Sequence, residues 1–359
     1  MTASRQGARE RIHDVTEVNA DPRNSALIKA ARGEEVPYTP VWFMRQAGRS
    51  LPEYRKVREG VGMLESCRRP DLVTEITLQP VRRHDVDAAI FFSDIVVPLA
   101  AAGVDLDIVA GVGPVVAQPF RTRADLARLP ELTPDMVTDI TESVQLITAE
   151  LGGTPLIGFA GAPFTLASYL IEGGPSKNHE RTKALMHAEP ETWHMLMRRL
   201  VPTIINFLRV QVDAGIDAMQ LFDSWAGYLN ERDYREFVLP YSREILAGVD
   251  IPRIHFGVGT GELLAQMSEV GCDVIGVDYR VSIPDALERT GSRLPVQGNL
   301  DPALLFAPWE PLASRVRAIL TEGAAAPGHI FNLGHGVLPS TDPDVLTRVV
   351  DLVHEHSRR

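Results

Sequence analysis

Eight short apolar runs punctuate this chain: Val36–Met44, Asp87–Ser93, Pro155–Ala160, Asp217–Phe222, Pro252–Phe256, Asp273–Val277, Pro295–Gly298 and His329–Leu333. Each is brief and ends at a polar or glycine-rich tip, as expected of strands buried on both faces of a parallel sheet. Between them lie amphipathic stretches, such as Pro190–Ala214, Glu231–Ala247 and Asp342–His354, that predict helices. Leu300-Asp301-Pro302 and Ser340-Thr341-Asp342-Pro343 resemble helix starts, with a capping side chain before a first-turn proline. Repeated strand-then-helix units predict an α/β fold, a single-domain (β/α)8 TIM barrel over residues 24–357. Residues 1–23 are expected to form a poorly ordered N-terminal extension. Val104–Pro119 reads as an extended excursion on a βα loop, and no Pro/Gly/Ser-rich linker divides the chain. The alternative, a doubly wound sheet, lacks its phosphate loop, because no GxGxxG follows the first strand.

Composition narrows the function classes. The 359-residue chain is 45% hydrophobic and carries a net charge of −11. That acidity makes nucleic acid an unsuitable partner, since a basic stripe would be needed. The most apolar region, Ala88–Val116, is interrupted by Asp94, Asp105 and Asp107, so no membrane span is expected. The first residues are charged and lack the apolar core of a secretory signal. Cys67 and Cys272 are the only cysteines, which fits a reducing cytoplasm rather than a disulfide framework.

Against the acidic background, Pro40–Arg58 (PVWFMRQAGRSLPEYRKVR) concentrates Arg45, Arg49, Arg55, Lys56 and Arg58 against the single acid Glu53. The guanidinium fork suits carboxylates, so a substrate with several carboxylates is the first expectation. Arg45 and Arg49 would share a face if the segment were one helical turn. Arg55, Lys56 and Arg58 read as an ordinary helix face. In a barrel the chemistry sits at strand ends. Those ends carry Asp94 in FFSDI, Tyr169 beyond GFAGAPFT, Ser224 in LFDSWAG, Asp278, Asn299 in QGNLDP and His335 in NLGHG. Asp94 stands out as one charge among apolar residues, which must find donors or a cation. Blander readings exist for each: an Asp94–Arg45 ion pair, a capping Ser224, a packed Tyr169, a turn-stabilising His335, and structural acids at Asp223 and Asp278. His84 and His255 read as interior or helix-surface histidines. No HxC, CxxC, HExxH or GxSxG occurs, so neither a metal centre nor a serine nucleophile is indicated.

PVWFMRQAGR at 40–49, FFSDI at 91–95, GFAGAPFTLASYLIEGG at 158–174, LFDSWAG at 221–227, QGNLDP at 297–302 and NLGHG at 332–336 resemble, in order, the motifs of the uroporphyrinogen decarboxylase family. The resemblance covers residues 24 to 354. It implies a single-domain (β/α)8 barrel, a homodimer, and removal of carbon dioxide from the four acetate arms of uroporphyrinogen III to give coproporphyrinogen III, with no cofactor or metal. Carried over motif by motif, it implies a substrate-contacting set of Arg45, Ala47 through its backbone, Arg49, Arg58, Asp94, Tyr169, Ser224 and His335, with Asp94 and Arg45 catalytic. For Arg58 the implication replaces the helix-face reading. Two rivals are weighed: a zinc- or cobalamin-linked methyltransferase of similar barrel fold, which needs Cys and His ligands at strand ends, and a non-catalytic tetrapyrrole-binding protein.

Overall fold

The computed structural model describes residues 21–359. The expected extension at 1–23 therefore lies, over residues 1–20, outside the described residues; Pro22–Asn24 forms a 3₁₀ turn capped by Asp21. The strands are β1 (Ala89–Ile90), β2 (Leu106–Val109), β3 (Gly113–Val116), β4 (Leu156–Gly161), β5 (Ala218–Asp223), β6 (Arg253–Gly257), β7 (Val274–Gly276), β8 (Val296–Gln297) and β9 (His329–Ile330). Seven of them form one parallel sheet in the order β1-β4-β5-β6-β7-β8-β9, while β2 and β3 pair as a separate antiparallel hairpin. Helices between successive strands cover the outer face. This is an α/β barrel.

The eighth stave is irregular. The expected strand Val36–Met44 reduces to a single parallel bridge, Val41 to Phe331. Pro37 and Pro40 cannot donate to a ladder. The segment still closes the barrel, because Phe331 N donates to Pro40 O (2.8 Å), Trp42 N to Phe331 O (3.3 Å) and Asp87 N to Val41 O (2.8 Å). The predicted helix Glu231–Ala247 is likewise two helices, Glu231–Phe237 and Leu239–Ala247. The break falls at Val238, just ahead of Pro240. Pro190–Ala214 runs unbroken as expected, with Pro190 in its first turn and Gly215 in the left-handed cap.

Two polar devices shape the barrel. Trp42 Nε1 donates to Gln297 Oε1 (3.0 Å), and Gln297 Nε2 donates to Gln220 Oε1 (2.8 Å). Gln220 and Gln297 sit on β5 and β8, which are not neighbours, so the amides meet across the lumen. The second device lies on β4. β1 pairs only with Leu156 and Ile157, leaving Phe159 without a strand partner on that side. Gln211, buried on the long helix, takes the missing strand's place: its Oε1 accepts from Phe159 N (3.0 Å) and its Nε2 donates to Phe159 O (3.1 Å). Gly158 permits this, because a Cβ there would lie 2.6 Å from Gln211 Oε1 and nearer still to Ile216. The barrel top opens where β1 and β4 part. No helix among the described residues is long and apolar enough to cross a membrane.

Candidate active site

At the carboxyl ends of the strands a cavity of about 920 Å³ is lined by Arg45, Ala47, Arg49, Asp94, Tyr169, Ser224 and His335. Seven of the eight expected contact residues thus converge, although they are drawn from four separate loops and a helix. Phe159, Phe222 and Phe256 form an aromatic floor, with edge-on ring pairs 5.4 and 6.2 Å apart. The β2–β3 hairpin contributes Ile108, Gly113 and Pro114 to the rim.

The arginine loop is not helical. Arg45 (φ 63°) and Arg49 (φ 50°) both adopt left-handed backbone, and the helix starts only at Pro52. Non-glycine residues hold that conformation only when their surroundings impose it. Here Gln46 imposes it: its buried amide accepts from Phe43 N (2.8 Å) and donates to Ala88 O (2.8 Å). Asn332 Oδ1 accepts from Met44 N (3.0 Å), and Val337 N donates to Met44 O (2.9 Å). The loop is fastened to β1 on one side and to the chain after β9 on the other. Gly48 (φ 108°) lets it turn over Tyr54, whose ring would lie 3.3 Å from any Cβ.

Asp94 follows β1 and accepts from Val96 N through Oδ1 (3.1 Å). Burial pushes its carboxyl above the usual carboxylate range, against the opposing pull of the Val96 amide and Arg45. Among the described residues no direct ion pair joins Asp94 to Arg45, so the bland reading of a closed pair does not hold. Desolvation correspondingly holds Arg45 below the ordinary guanidinium value, with Asp94 and Tyr169 opposing. The Arg45 side chain is open to the cavity yet lies deep in it, which is why it is both accessible and desolvated. Its stem crosses Gly336, where a Cβ would lie 2.8 Å from Arg45 Cγ and closer to Cδ.

Tyr169 lies on Pro163–Glu172 with its ring 4.1 Å from that of Trp225. Burial and the nearby Asp94 push its hydroxyl up to about 12, so it is a neutral donor. Gly336 N donates to His335 Nδ1 (2.7 Å), which leaves the ring proton of the neutral imidazole on Nε2. Burial and then Arg45 hold His335 below its ordinary value. Asp223 and Asp278 are buried supports: Asp223 accepts from Thr165 Oγ1 (3.1 Å), and Asp278 from Gly259 N (2.7 Å). Asn299 is buried and donates to Asp278 O (3.0 Å).

Arg58 is the exception. It ends the helix Pro52–Val57 and does not itself line the cavity; its guanidinium donates to Val61 O (2.9 Å) and to two residues that do, Tyr54 Oη (2.7 Å) and Met63 Sδ (3.1 Å). The helix-face reading is thereby corrected: Arg58 backs Tyr54, which does line the cavity. Sequence reasoning missed Tyr54, Trp225 and Arg280. The signals available were an aromatic beside the serine in DSWAG and a cation two residues beyond a strand-end acid in VDYR.

Residues 22–356 match the family model of uroporphyrinogen decarboxylase (URO-D). The chain belongs to the uroporphyrinogen decarboxylase family. Curated relatives of that name include proteins of Saccharopolyspora erythraea (66% identical, covering 94% of this chain and 97% of the relative) and Salinispora tropica (64%, covering 94% and 92%). A third, from Streptomyces coelicolor, is 62% identical and covers 94% of this chain and 96% of its own. Among solved structures, a methyltransferase from Methanosarcina mazei superposes with a TM-score of 0.76 at 18% identity, over 94% of this chain and 99% of that one. At that identity the likeness speaks for the fold alone. It gives this chain and that methyltransferase one barrel fold. Among the described residues, no group of three or more His, Cys, Asp or Glu is arranged to hold a metal ion.

Proposed function

We propose that this chain decarboxylates the four acetate arms of uroporphyrinogen III to methyl groups, releasing carbon dioxide and coproporphyrinogen III. One observation carries the reading: in a chain of this family, a lone carboxylate, Asp94, faces an aromatic-floored cavity that Arg45 and Arg49 also line.

Decarboxylation needs somewhere for the electron pair to go. The pyrrole supplies it. Protonation of the ring carbon beside the one that bears the acetate arm gives a cationic iminium conjugated with that arm. The arm's carbon–carboxylate bond then breaks, and its electrons form an exocyclic methylene and neutralise the iminium. Protonation of that methylene with loss of the added ring proton yields the methyl and restores the pyrrole. Asp94 accepts hydrogen bonds from the converging pyrrole N–H groups and stabilises the cation as it develops. Such a fixed charge acts strongly in a water-poor site. Arg45 holds the departing carboxylate and relays a proton. Arg49 grips peripheral carboxylates, while Tyr169 Oη–H, Ser224 Oγ–H and His335 Nε2–H orient them as neutral donors.

We take the working form to be a cytoplasmic homodimer. The unpaired thiols of Cys67 and Cys272 support the reducing compartment, and the family resemblance supports the dimer. The test is anaerobic incubation of the purified chain with uroporphyrinogen III and EDTA, followed by separation of the oxidised products by carboxylate number. Seven-, six-, five- and then four-carboxyl species are expected. Binding without turnover would favour the tetrapyrrole-binding rival; neither binding nor turnover would refute the reading.

A further inference from the structure

The substrate presents eight carboxylates around its rim, whereas the arginine loop places cations on one side of the cavity only. Arg280 supplies another. It follows β7, lines the same cavity, and its side chain is 50% exposed. Its placement is built, not incidental. Asp278, itself 1% exposed, accepts both the Arg280 backbone N–H (2.7 Å) and Nη1 (2.5 Å) while also holding Gly259 N. The guanidinium carbon lies 4.3 Å from the centre of the Tyr279 ring. Tyr279 is in turn pressed onto Gly334, where a Cβ would lie 2.6 Å from the Tyr279 Cα, and Gly334 immediately precedes His335. The β7 and β9 loops are therefore locked together, and His335 feels the charges of both Arg45 and Arg280. The walls adjoining Arg280 are otherwise neutral, with Val258, Gly259 and Tyr228. A substrate carboxylate meeting that wall would otherwise lack a cation.

We infer that Arg280 is a further carboxylate-binding residue of this site, gripping a peripheral arm of the tetrapyrrole through the guanidinium edge that Asp278 leaves free. Asp278 is its positioning residue: it fixes the fork in advance, so less freedom is lost on binding. The inference rests on the decarboxylase reading for the identity of the anion.

Arg280→Ala, Arg280→Gln and Arg280→Lys would be compared with wild type in two assays: steady-state turnover of uroporphyrinogen III, and anaerobic equilibrium dialysis of the same compound. Losing one charge-assisted contact should raise KM and the dissociation constant about tenfold in the Ala and Gln variants, with a much smaller change in kcat. Lys should restore most of the loss, and the salt dependence of kcat/KM should become shallower in Ala and Gln. An unmoved KM and dissociation constant would overturn the assignment. So would a loss confined to kcat that Lys does not rescue, accompanied by a lower melting temperature, because that pattern marks loop support alone. If wild type binds the compound without converting it, the decarboxylase reading fails, and the dialysis constants still decide the role of Arg280.

Discussion

Asp94→Asn isolates the charge at the centre of the site. Asparagine keeps the shape and keeps an oxygen to accept from Val96 N, the hydrogen bond that fixes the carboxylate. What it removes is a negative charge facing a developing pyrrole cation. At about 4 Å and an effective dielectric of about 20, that interaction amounts to roughly 4 kcal/mol. Each 1.4 kcal/mol or so is tenfold in rate, so kcat should fall about a thousandfold, in line with losses of other fixed transition-state partners. KM should change far less.

Stability should move the other way. Burial raises the carboxyl's pKa in the fold. The folded chain then holds this proton more readily than the unfolded chain, so stability falls as pH rises through the folded value. At neutral pH the ionised Asp94 destabilises the protein, and Asn relieves this. The assay is anaerobic turnover quantified by carboxylate number, with a thermal melt of the same preparation. A kcat within tenfold of wild type in a normally folded Asp94→Asn protein would refute the cation role. A marked drop in melting temperature would refute the claim that this charge is held against the fold's preference. In wild type, activity should fall with acidification beginning above the ordinary carboxylate range.

Gly336→Ala drives a methyl into the Arg45 stem; displacement of about 1 Å at a reacting group can cost roughly a hundredfold, so kcat/KM should drop by that order while the melt stays near wild type, and unchanged kinetics would show that Arg45 needs no such support. Gly158→Ala should cost about 1–3 kcal/mol in urea unfolding through overpacking against Gln211 and Ile216, and a neutral result would deny Gln211 its role in completing β4. Desolvation lowers His84 and His329 to about 4; the unfolded chain therefore binds more protons between about pH 6.5 and 4, and stability should decline as pH falls through that window, which urea midpoints at pH 7 and pH 5 would show, a flat profile contradicting their buried neutral state.

Much of the barrel was legible because buried parallel strands leave a strong local mark. The runs at 155–160, 217–222 and 252–256 are short and mostly apolar, and each ends within one residue of its strand's end. The first run failed for a reason written in its own residues: Pro37 and Pro40 remove the donors a ladder requires. The left-handed turn that carries Arg45 and Arg49 has a cause no local pattern carries. Gln46 ties Phe43 to Ala88 and Asn332 holds Met44, and those partners lie far along the chain. Arg58 shows the same limit. Its spacing from Pro52 says only that it ends a helix, and whether the guanidinium faces cavity, solvent or Tyr54 depends on where the loop at Val61 passes.

The irregular stave also explains why the chemistry sits where it does. A regular eighth strand would carry its backbone hydrogen bonds to β1 and β9 and present alternate side chains to the lumen. Here the chain leaves the sheet at Trp42, and side-chain amides take over the fastening: Gln46 on the β1 side, Asn332 on the β9 side. That exchange frees the backbone from extended geometry, so Arg45 and Arg49 can both turn into the left-handed region over one cavity. On the far side of β1, Gln211 does the equivalent for β4, letting Phe91 to Asp94 peel away without stranding the Phe159 amide. Both edges of β1 are thus sealed by buried amides, and the gap between them is where Asp94 faces the arginines. Replacing Gln46 or Gln211 should therefore disturb activity as well as stability, because the same hydrogen bonds that close the barrel hold the site open.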